Sequence, residues 1–83
     1  MITVAMIEDH QILVDSLSLM LRYEPDIEFL GSAGSLEKGR RLLTEYDPTV
    51  LLLDVGLPDG SGLDLIPEVN QLSPETNIVV LTS

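Results

Sequence analysis

The sequence predicts an α/β fold built on an open parallel sheet, with the element order βαβαβαβ. Short, almost wholly apolar runs, typical of strands buried on both faces, alternate with segments whose apolar residues recur at helical spacing. Residues that cap or break helices, such as Pro25, Ser35 and Asp47-Pro48, separate the two kinds of segment. Strands and helices that alternate in this way form right-handed crossovers, with helices on both faces of the sheet.

The first strand is predicted at Ile2 to Ile7, an apolar run that ends at Glu8-Asp9. The first helix is predicted from Gln11 to Tyr23, because apolar positions recur at helical spacing until Pro25 stops the pattern. Asp26 to Ala33 follows as the second strand. The core positions predicted for the first helix are Leu13, Leu17, Met20 and Leu21.

Ser35 is predicted to cap a second helix that continues through Tyr46. Asp47-Pro48 then breaks that helix before the third strand, which runs from Thr49 to Asp54. The segment from Val55 to Gly62 is rich in Gly, Pro, Asp and Ser, and we expect a loop there.

The third helix is predicted to end near Leu72, and the fourth strand to run from Asn77 to Thr82. Pro67 constrains where the third helix begins, since a proline inside a helix removes a hydrogen bond and clashes with the preceding turn. If Asp64 is the N-cap, Pro67 falls in the first turn, where no backbone hydrogen bond is lost.

Composition excludes several classes of function. Fourteen acidic against four basic residues give a net charge of -10, which repels nucleic-acid backbones and anionic lipids. The chain has no cysteine for a disulfide or a thiolate metal site, and no apolar run near the roughly 20 residues of a membrane span. We therefore expect one cytoplasmic domain over residues 1–83, with no direct contact to nucleic acid or membrane.

Chemically capable side chains follow three of the predicted strands. Glu8-Asp9 follow the first strand, Asp54 closes the third and Thr82-Ser83 close the fourth. In an open parallel sheet the carboxyl ends of the strands share one edge, which is where such folds place their working sites. Carboxylates gathered there repel one another, so a cation is expected between them, and Mg²⁺ prefers oxygen ligands.

Asp54 is the natural nucleophile of this group. A carboxylate beside a divalent cation can attack a phosphoryl group and form an aspartyl phosphate. The loop from Val55 to Gly62 brings backbone carbonyls near the cation as further ligands. Simpler interpretations stay open: Asp54 as a turn or helix cap, and Glu8 and Asp9 as charges that favour the positive end of the next helix.

These residues resemble the receiver domains of two-component response regulators. The resemblance rests on the acidic pair after the first strand, Asp54 at the end of the third, the following Leu57-Pro58 and a Gly, and Thr82 at the end of the fourth strand, and it covers all 83 residues. It implies a flavodoxin-like sheet with strand order 2-1-3-4 and phosphorylation of Asp54 by a histidine kinase. It also implies Thr82 as the switch hydroxyl and a Mg²⁺ site made by Glu8, Asp9, Asp54 and the Gly56 carbonyl.

The resemblance further implies a switch rather than a turnover enzyme. The stretch Glu8-Asp9-His10 with Pro25-Asp26 is similar to receivers that precede a helix-turn-helix DNA-binding domain, so a transcriptional output is expected. The family's fold continues through a fourth helix, a fifth strand with a Lys at the phosphoryl group, and a fifth helix, so these 83 residues would be a partial receiver domain.

A partial receiver would expose apolar side chains of its third and fourth strands. We therefore expect self-association through the edge at Ile78 to Leu81 or through the uncovered face of the sheet. An inert or engineered receiver fragment that self-associates without phosphotransfer is the alternative function.

Other interpretations of the same residues are weaker. A haloacid-dehalogenase phosphatase needs a second Asp where this chain has Gly56, and Glu8-Asp9 would repel the phosphate of a flavin. Thr82 also suits a plain β-strand position. Asp59 is predicted to be a turn residue, and His10 a loop or cap residue without a chemical role.

Overall fold

The computed structural model describes residues 1–81, and within them the predicted alternation of strands and helices is confirmed. Thr82, the predicted end of the fourth strand, lies outside the described residues. No helix in this part of the chain is long and apolar enough to cross a membrane. In chain order, the elements are β1 (Ile2–Ile7), α1 (Gln11–Arg22), β2 (Ile27–Ala33), α2 (Leu36–Glu45), β3 (Val50–Asp54), β4 (Gly56–Leu57), β5 (Gly60–Ser61), α3 (Ile66–Leu72) and β6 (Asn77–Leu81).

The main sheet is parallel, and its strand order is β2-β1-β3-β6, as the resemblance implies. The register of its strands determines which residues meet at the carboxyl edge of the sheet. Ile7 at the end of β1 pairs with Leu53, so Glu8 follows on beside Asp54. On the other side of β3, Asp54 pairs with Leu81. The carboxyl ends of the three strands therefore meet at one edge of the sheet.

The two faces of the sheet are covered unequally. Alternate residues of β1 point to opposite faces: Ala5 and Ile7 join the main core, whereas Val4 and Met6 are buried on the other face with Val14 of α1. The main core lies between the sheet and the helices α2 and α3. Its buried members are Ala5, Ile7, Ala33, Leu36, Leu51, Leu53, Leu57, Leu65 and Val69.

Helix α1 buries a narrower stripe than the sequence predicts. Only Val14 is fully buried, and the predicted core positions Leu13 and Met20 are 38% and 64% exposed. Leu17 and Leu21 are half-buried. The apolar spacing identified the helix correctly, but spacing alone does not show how wide a surface of the sheet is available for the helix to cover.

Edge strand β6 also exposes apolar side chains. Val79 is 46% exposed and Val80 is 39% exposed, and β3 is the only strand that pairs with β6 within residues 1–81. The exposure expected for the fourth strand is therefore found in the described part of the chain.

Helix α2 is held tightly against the sheet and against α3. Ser35 caps it as predicted, since its hydroxyl oxygen accepts a hydrogen bond from the Lys38 backbone N–H at 3.1 Å. A Cβ atom on Gly39 would lie 2.6 Å from Ile7 Cδ1, so glycine allows the helix to approach β1 closely. Arg40 makes two hydrogen bonds to Glu68 of α3, at 2.8 and 3.0 Å.

The segment after β3 is more regular than the predicted loop. Strands β4 and β5 form a small antiparallel ladder in which Gly56 pairs with Ser61, and a 3-10 turn, Gly62–Leu65, leads into α3. The prediction that Asp64 is the N-cap is wrong. Ser61 caps the turn by accepting a hydrogen bond from the Leu63 N–H at 3.2 Å, because the chain already coils before Asp64. Pro67 does lie in the first turn of α3, as predicted.

A buried polar network lies before β3 and β6, at the end of the sheet opposite the carboxyl edge. The Ser73 hydroxyl donates to Asp47 and lies 2.5 Å from the Thr76 hydroxyl, which donates to the Pro48 carbonyl at 2.6 Å. Ser73 and Thr76 are both buried. This network joins the segment before β3 to the segment before β6, and so helps to set the register of the two strands.

A substitution at Gly62 can test how closely the loop packs on β3. Its N–H donates to the Val55 carbonyl at 2.8 Å, and a Cβ atom at this position would lie only 1.9 Å from the Asp54 backbone oxygen. We expect Gly62→Ala to lower the free energy of unfolding by on the order of 3 kcal/mol, because the backbone must move to relieve the overlap. Urea denaturation followed by circular dichroism measures this loss.

Gly34→Ala is the matched control, because no atom lies within 4 Å of a Cβ at that position. It should change stability by less than about 0.5 kcal/mol. Equal effects of the two substitutions would contradict the close approach of Gly62 to β3.

Candidate functional site

The predicted acidic residues meet at the carboxyl edge of the sheet. One ligand atom from each of Glu8, Asp9, His10 and Asp54 can be chosen so that all four lie within 4.8 Å of one another. The pairing of β1 with β3 produces this arrangement, since Glu8-Asp9 and Asp54 extend the ends of neighbouring strands. Three of the four residues were predicted from the sequence, and His10 was not.

Asp54 belongs to this group and is 5% exposed. Its Oδ1 atom accepts a long hydrogen bond of 3.4 Å from the Gly56 N–H. Its Oδ2 atom is buried and has no hydrogen-bond partner among the described residues. Buried polar atoms in folded proteins are nearly always paired, so an unpaired carboxylate oxygen here favours a bound cation or a reactive role.

The two buried carboxyl groups have different pKa values. Burial raises the pKa of Asp54, and the neighbouring Glu8 raises it further, against a smaller lowering by the Gly56 N–H. Burial also acts to raise the pKa of Glu8, but hydrogen bonds together outweigh it, chiefly those from the His10 ring and backbone N–H and then those with Asp54 and Asp9, and they leave the pKa below its ordinary value. Glu8 therefore stays ionised more readily than Asp54.

His10 is the unpredicted member of the site. Its Nδ1 atom lies 3.0 Å from Glu8 Oε2 and 3.4 Å from Asp9 Oδ1. The hydrogen bond to Glu8 and the charges of Asp9 and Glu8 raise the pKa of His10. Its backbone N–H also donates to Glu8 Oε2, at 3.2 Å. The sequence signal was its place directly after the acidic pair, where α1 begins.

Gly56 lies beside Asp54, in the first strand of the small ladder. It is exposed, and no atom lies within 4 Å of a Cβ built at its position, so space is open where a side chain would lie. This is where the resemblance implies a backbone ligand. Thr82, the implied switch hydroxyl, lies outside the described residues, and the preceding Leu81 pairs with Asp54.

Asp59 does more than form a turn. Its two carboxylate oxygens accept hydrogen bonds from the backbone N–H groups of Leu36 and Glu37, at 2.8 and 3.1 Å. These bonds lower the pKa of Asp59. The loop that follows Asp54 is therefore fastened to the first turn of α2, a contact between residues 22 and 23 positions apart that no local pattern reveals.

The donor set fits a hard divalent cation. Glu8, Asp9 and Asp54 offer carboxylate oxygens, the ligands that Mg²⁺ prefers. Glu8 and Asp54 are buried, and the unpaired Oδ2 atom of Asp54 is the observation that favours a bound ion over an ordinary acidic surface. The arrangement can hold a cation next to a carboxylate that is able to act as a nucleophile.

Comparison with known proteins shows the family to which the chain is similar. The sequence profile of the response regulator receiver domain matches residues 4–83. The chain is 31% identical over 83 residues to the DNA-binding transcriptional activator DevR/DosR of Mycobacterium tuberculosis, and 34% identical over 83 residues to the transcriptional regulatory protein LiaR of Bacillus subtilis. All of this chain is aligned in both comparisons, but it spans only 38% and 39% of these relatives.

The same fold is found among solved structures. RcsB from Salmonella enterica serovar Typhimurium, bound to the rprA promoter in the presence of the phosphomimetic BeF3-, superimposes with a TM-score of 0.88 and 25% identity. The match covers 99% of this chain and 42% of RcsB. A LuxR-family response regulator from Aurantimonas shares the fold at a TM-score of 0.87, with 20% identity, over 98% of this chain and 58% of its own.

Because the Asp54 carboxylate is buried and has an unpaired oxygen, we predict that removal of its charge stabilises the protein. In Mg²⁺-free buffer at neutral pH, we expect Asp54→Asn to stabilise the fold by about 1 kcal/mol, seen as a rise of several degrees in Tm. Because folding raises the pKa of Asp54 above its ordinary 3.8, the gain should be absent well below 3.8, should grow as pH rises from 3.8 to the raised pKa, and should stay constant above it.

Thermal unfolding in the presence of a chelator, across a pH series, measures this gain. Asp26→Asn removes an exposed carboxylate outside the acidic group and should leave Tm nearly unchanged. A loss of stability for Asp54→Asn at neutral pH would contradict the destabilising effect assigned to the buried charge.

Proposed function

Because the chain belongs to the response regulator receiver domain family, we propose that it is the phosphoacceptor module of a two-component response regulator and that a sensor histidine kinase phosphorylates Asp54. Membership of this family implies a role in two-component signalling rather than substrate turnover. The observation that supports Asp54 is its buried, unpaired Oδ2 atom within the acidic group.

We propose that Glu8, Asp9, Asp54 and the Gly56 carbonyl hold Mg²⁺. Asp9 is the more exposed carboxylate and is the expected direct ligand, whereas Glu8 is buried and already accepts hydrogen bonds from His10. When bound, Mg²⁺ offsets negative charge on the oxygens of the transferred phosphoryl group. The side chains supply the rest, since ionised Glu8 and Asp9 attract the cation to the place where Asp54 reacts.

In the proposed reaction a carboxylate oxygen of Asp54 forms a bond to phosphorus while the P–N bond of the kinase phosphohistidine breaks. The histidine keeps the electron pair of that bond and takes up a proton as it leaves. Asp54 needs no general base, because the carboxylate is already the reactive form. The Thr82 hydroxyl then approaches the phosphoryl oxygens and shifts a two-state equilibrium of the domain.

The expected output of the switch is transcription. DevR/DosR and LiaR are transcriptional regulators more than twice as long as this chain, and RcsB is bound to a promoter in its structure. A net charge of -10 makes this segment a poor ligand for DNA, so we propose that DNA binding belongs to a separate domain.

A second candidate function is self-association through edge strand β6, which the exposure of Val79 and Val80 favours. We expect light scattering at micromolar concentration to show a dimer. Val80→Lys should return it to a monomer, because a charged edge opposes strand pairing. Thr44→Lys, on the exposed face of α2, is the control. A strictly monomeric, well-folded wild-type protein would rule out this association.

The metal site predicts that Mg²⁺ stabilises the protein. A ligand that binds only the folded state adds about 2.7 kcal/mol at 100 times its Kd, so Tm should rise with Mg²⁺ concentration. Asp9→Asn and Asp54→Asn should remove most of this rise, whereas Asp64→Asn, at an exposed acid of the 3-10 turn, should keep it. A Tm that is indifferent to Mg²⁺ would reject the site.

Phosphorylation itself is tested with a small acyl phosphate donor. In the presence of Mg²⁺ we expect one phosphoryl group, mapped to Asp54 by mass spectrometry after borohydride trapping. Chelation of Mg²⁺ or substitution of Asp54 by Asn should abolish it. A protein that binds Mg²⁺ but carries no phosphoryl group at Asp54 would show that the phosphoacceptor role is wrong.

A further inference from the structure

Asp59 links the loop beside the acidic group to a distant helix. It lies in the turn between β4 and β5, and its carboxylate accepts hydrogen bonds from the Leu36 and Glu37 backbone N–H groups at 2.8 and 3.1 Å. The neighbouring Gly60 packs against the same helix end, since a Cβ atom there would lie 2.8 Å from Leu36 Cδ1. The tip of the loop is therefore attached to the start of α2.

The attachment at Asp59 also constrains the position of Gly56. Gly56 pairs with Ser61 and Leu57 pairs with Gly60, so the two short strands move as one unit with the turn that carries Asp59. Leu57 anchors this unit to the main core, to which its side chain belongs, and it is only 8% exposed. A displacement of the turn at Asp59 would shift Gly56 with it.

The other end of the unit is attached to β3. The Gly62 N–H donates to the Val55 carbonyl at 2.8 Å, and Gly62 lies against the Asp54 backbone oxygen. The loop thus has two attachments, one to the strand that carries Asp54 and one to α2 through Asp59. The attachment to β3 sets the distance of the loop from Asp54. The attachment to α2 limits rotation of the loop about its attachment to β3.

We propose that Asp59 is a positioning residue for the cation site: it touches no ligand, but its bonds to α2 hold the β4–β5 ladder where the Gly56 carbonyl can bind Mg²⁺. This inference rests on the proposed function of the acidic group. It has a reciprocal consequence, because a cation that needs the loop in this position also strengthens the bonds between Asp59 and α2. Cation binding at the edge of the sheet should therefore be felt at the first turn of α2.

Two simpler roles for Asp59 have matched controls. Asp59 could serve only to cap α2, but the Ser35 hydroxyl caps the same helix end by accepting from the Lys38 N–H and makes no hydrogen bond to the loop among the described residues, so Ser35→Ala weakens the cap alone. Asp59 could also act only through its negative charge. Asp64→Asn removes an exposed charge from the same connection while leaving the bonds to α2 intact.

Isothermal titration calorimetry with MgCl2 measures the effect. We expect Asp59→Ala to weaken Mg²⁺ affinity about tenfold, the size typical of residues that orient ligands from outside the first coordination sphere. Ser35→Ala and Asp64→Asn should each change the affinity less than about twofold. Urea denaturation of all three variants checks that Ser35→Ala and Asp59→Ala lose comparable stability.

Amide hydrogen exchange gives an independent readout. In the wild-type protein, saturating Mg²⁺ should slow exchange of the Leu36 and Glu37 amides, the two that Asp59 binds. In Asp59→Ala, Mg²⁺ should leave their exchange unchanged, and in Asp64→Asn the wild-type slowing should persist. If Asp59→Ala does not fold, Asp59→Asn keeps one acceptor oxygen and should still weaken Mg²⁺ binding more than Asp64→Asn does.

The outcomes separate this inference from the proposed function. A wild-type protein that binds no Mg²⁺ would refute the proposed function itself. Wild-type Mg²⁺ affinity in Asp59→Ala, with binding intact in the wild-type protein, would refute the positioning role alone. An equal loss of affinity in Ser35→Ala or in Asp64→Asn would also overturn it, since helix capping or charge would then account for the effect.

Discussion

The parallel pairing of β1 with β3 is the constraint on which the site depends. Ile7 pairs with Leu53, so the residues that follow each strand leave the sheet side by side. A shift of one residue in this register would turn Asp54 to the opposite face of the sheet and bury or expose the wrong side chains along the whole strand. Ile7 and Leu53 are fully buried, and the same contacts that form the core also bring the carboxylates together.

Placing the carboxylates together opposes stability, and the surrounding structure offsets this. Asp54 is buried with an unpaired oxygen, a state that the fold tolerates because β3 pairs with strands on both sides and contributes Leu51 and Leu53 to the main core. Gly62 packs on its backbone, Leu57 anchors the following loop, and the Ser73–Thr76 network fixes the far end of the neighbouring strand. A flexible edge would let Asp54 turn into solvent, away from Glu8 and Asp9, and the carboxylates would no longer be held together.

Local patterns predicted most of the fold and part of the site. Apolar runs identified β1 and β3 because buried parallel strands need apolar residues on both faces, and the strand-end rule then selected Glu8, Asp9 and Asp54. The roles of His10 and Asp59 were missed. The contacts of His10 with Glu8 and Asp9 are local, and its place directly after the acidic pair was the available signal. Asp59 accepts bonds from Leu36 and Glu37, 23 and 22 positions away, and no spacing along the chain encodes those contacts. The exposure of Leu13 and Met20 was missed for the same reason, since burial depends on how the helix lies on the sheet.

The neighbouring carboxylates Glu8 and Asp54 differ in the hydrogen bonds that they accept, and this difference suits them to different roles. Glu8 accepts hydrogen bonds from the ring and the backbone of His10, which favour its ionised form, so it suits a fixed negative charge that attracts a cation. Asp54 has one long bond from Gly56 and an oxygen with no partner. An oxygen without donors keeps its electron density available for a new bond, whereas hydrogen bonds would disperse it. The unpaired Oδ2 atom of Asp54 is therefore the reason that we propose Asp54, rather than Glu8, as the acceptor of the phosphoryl group.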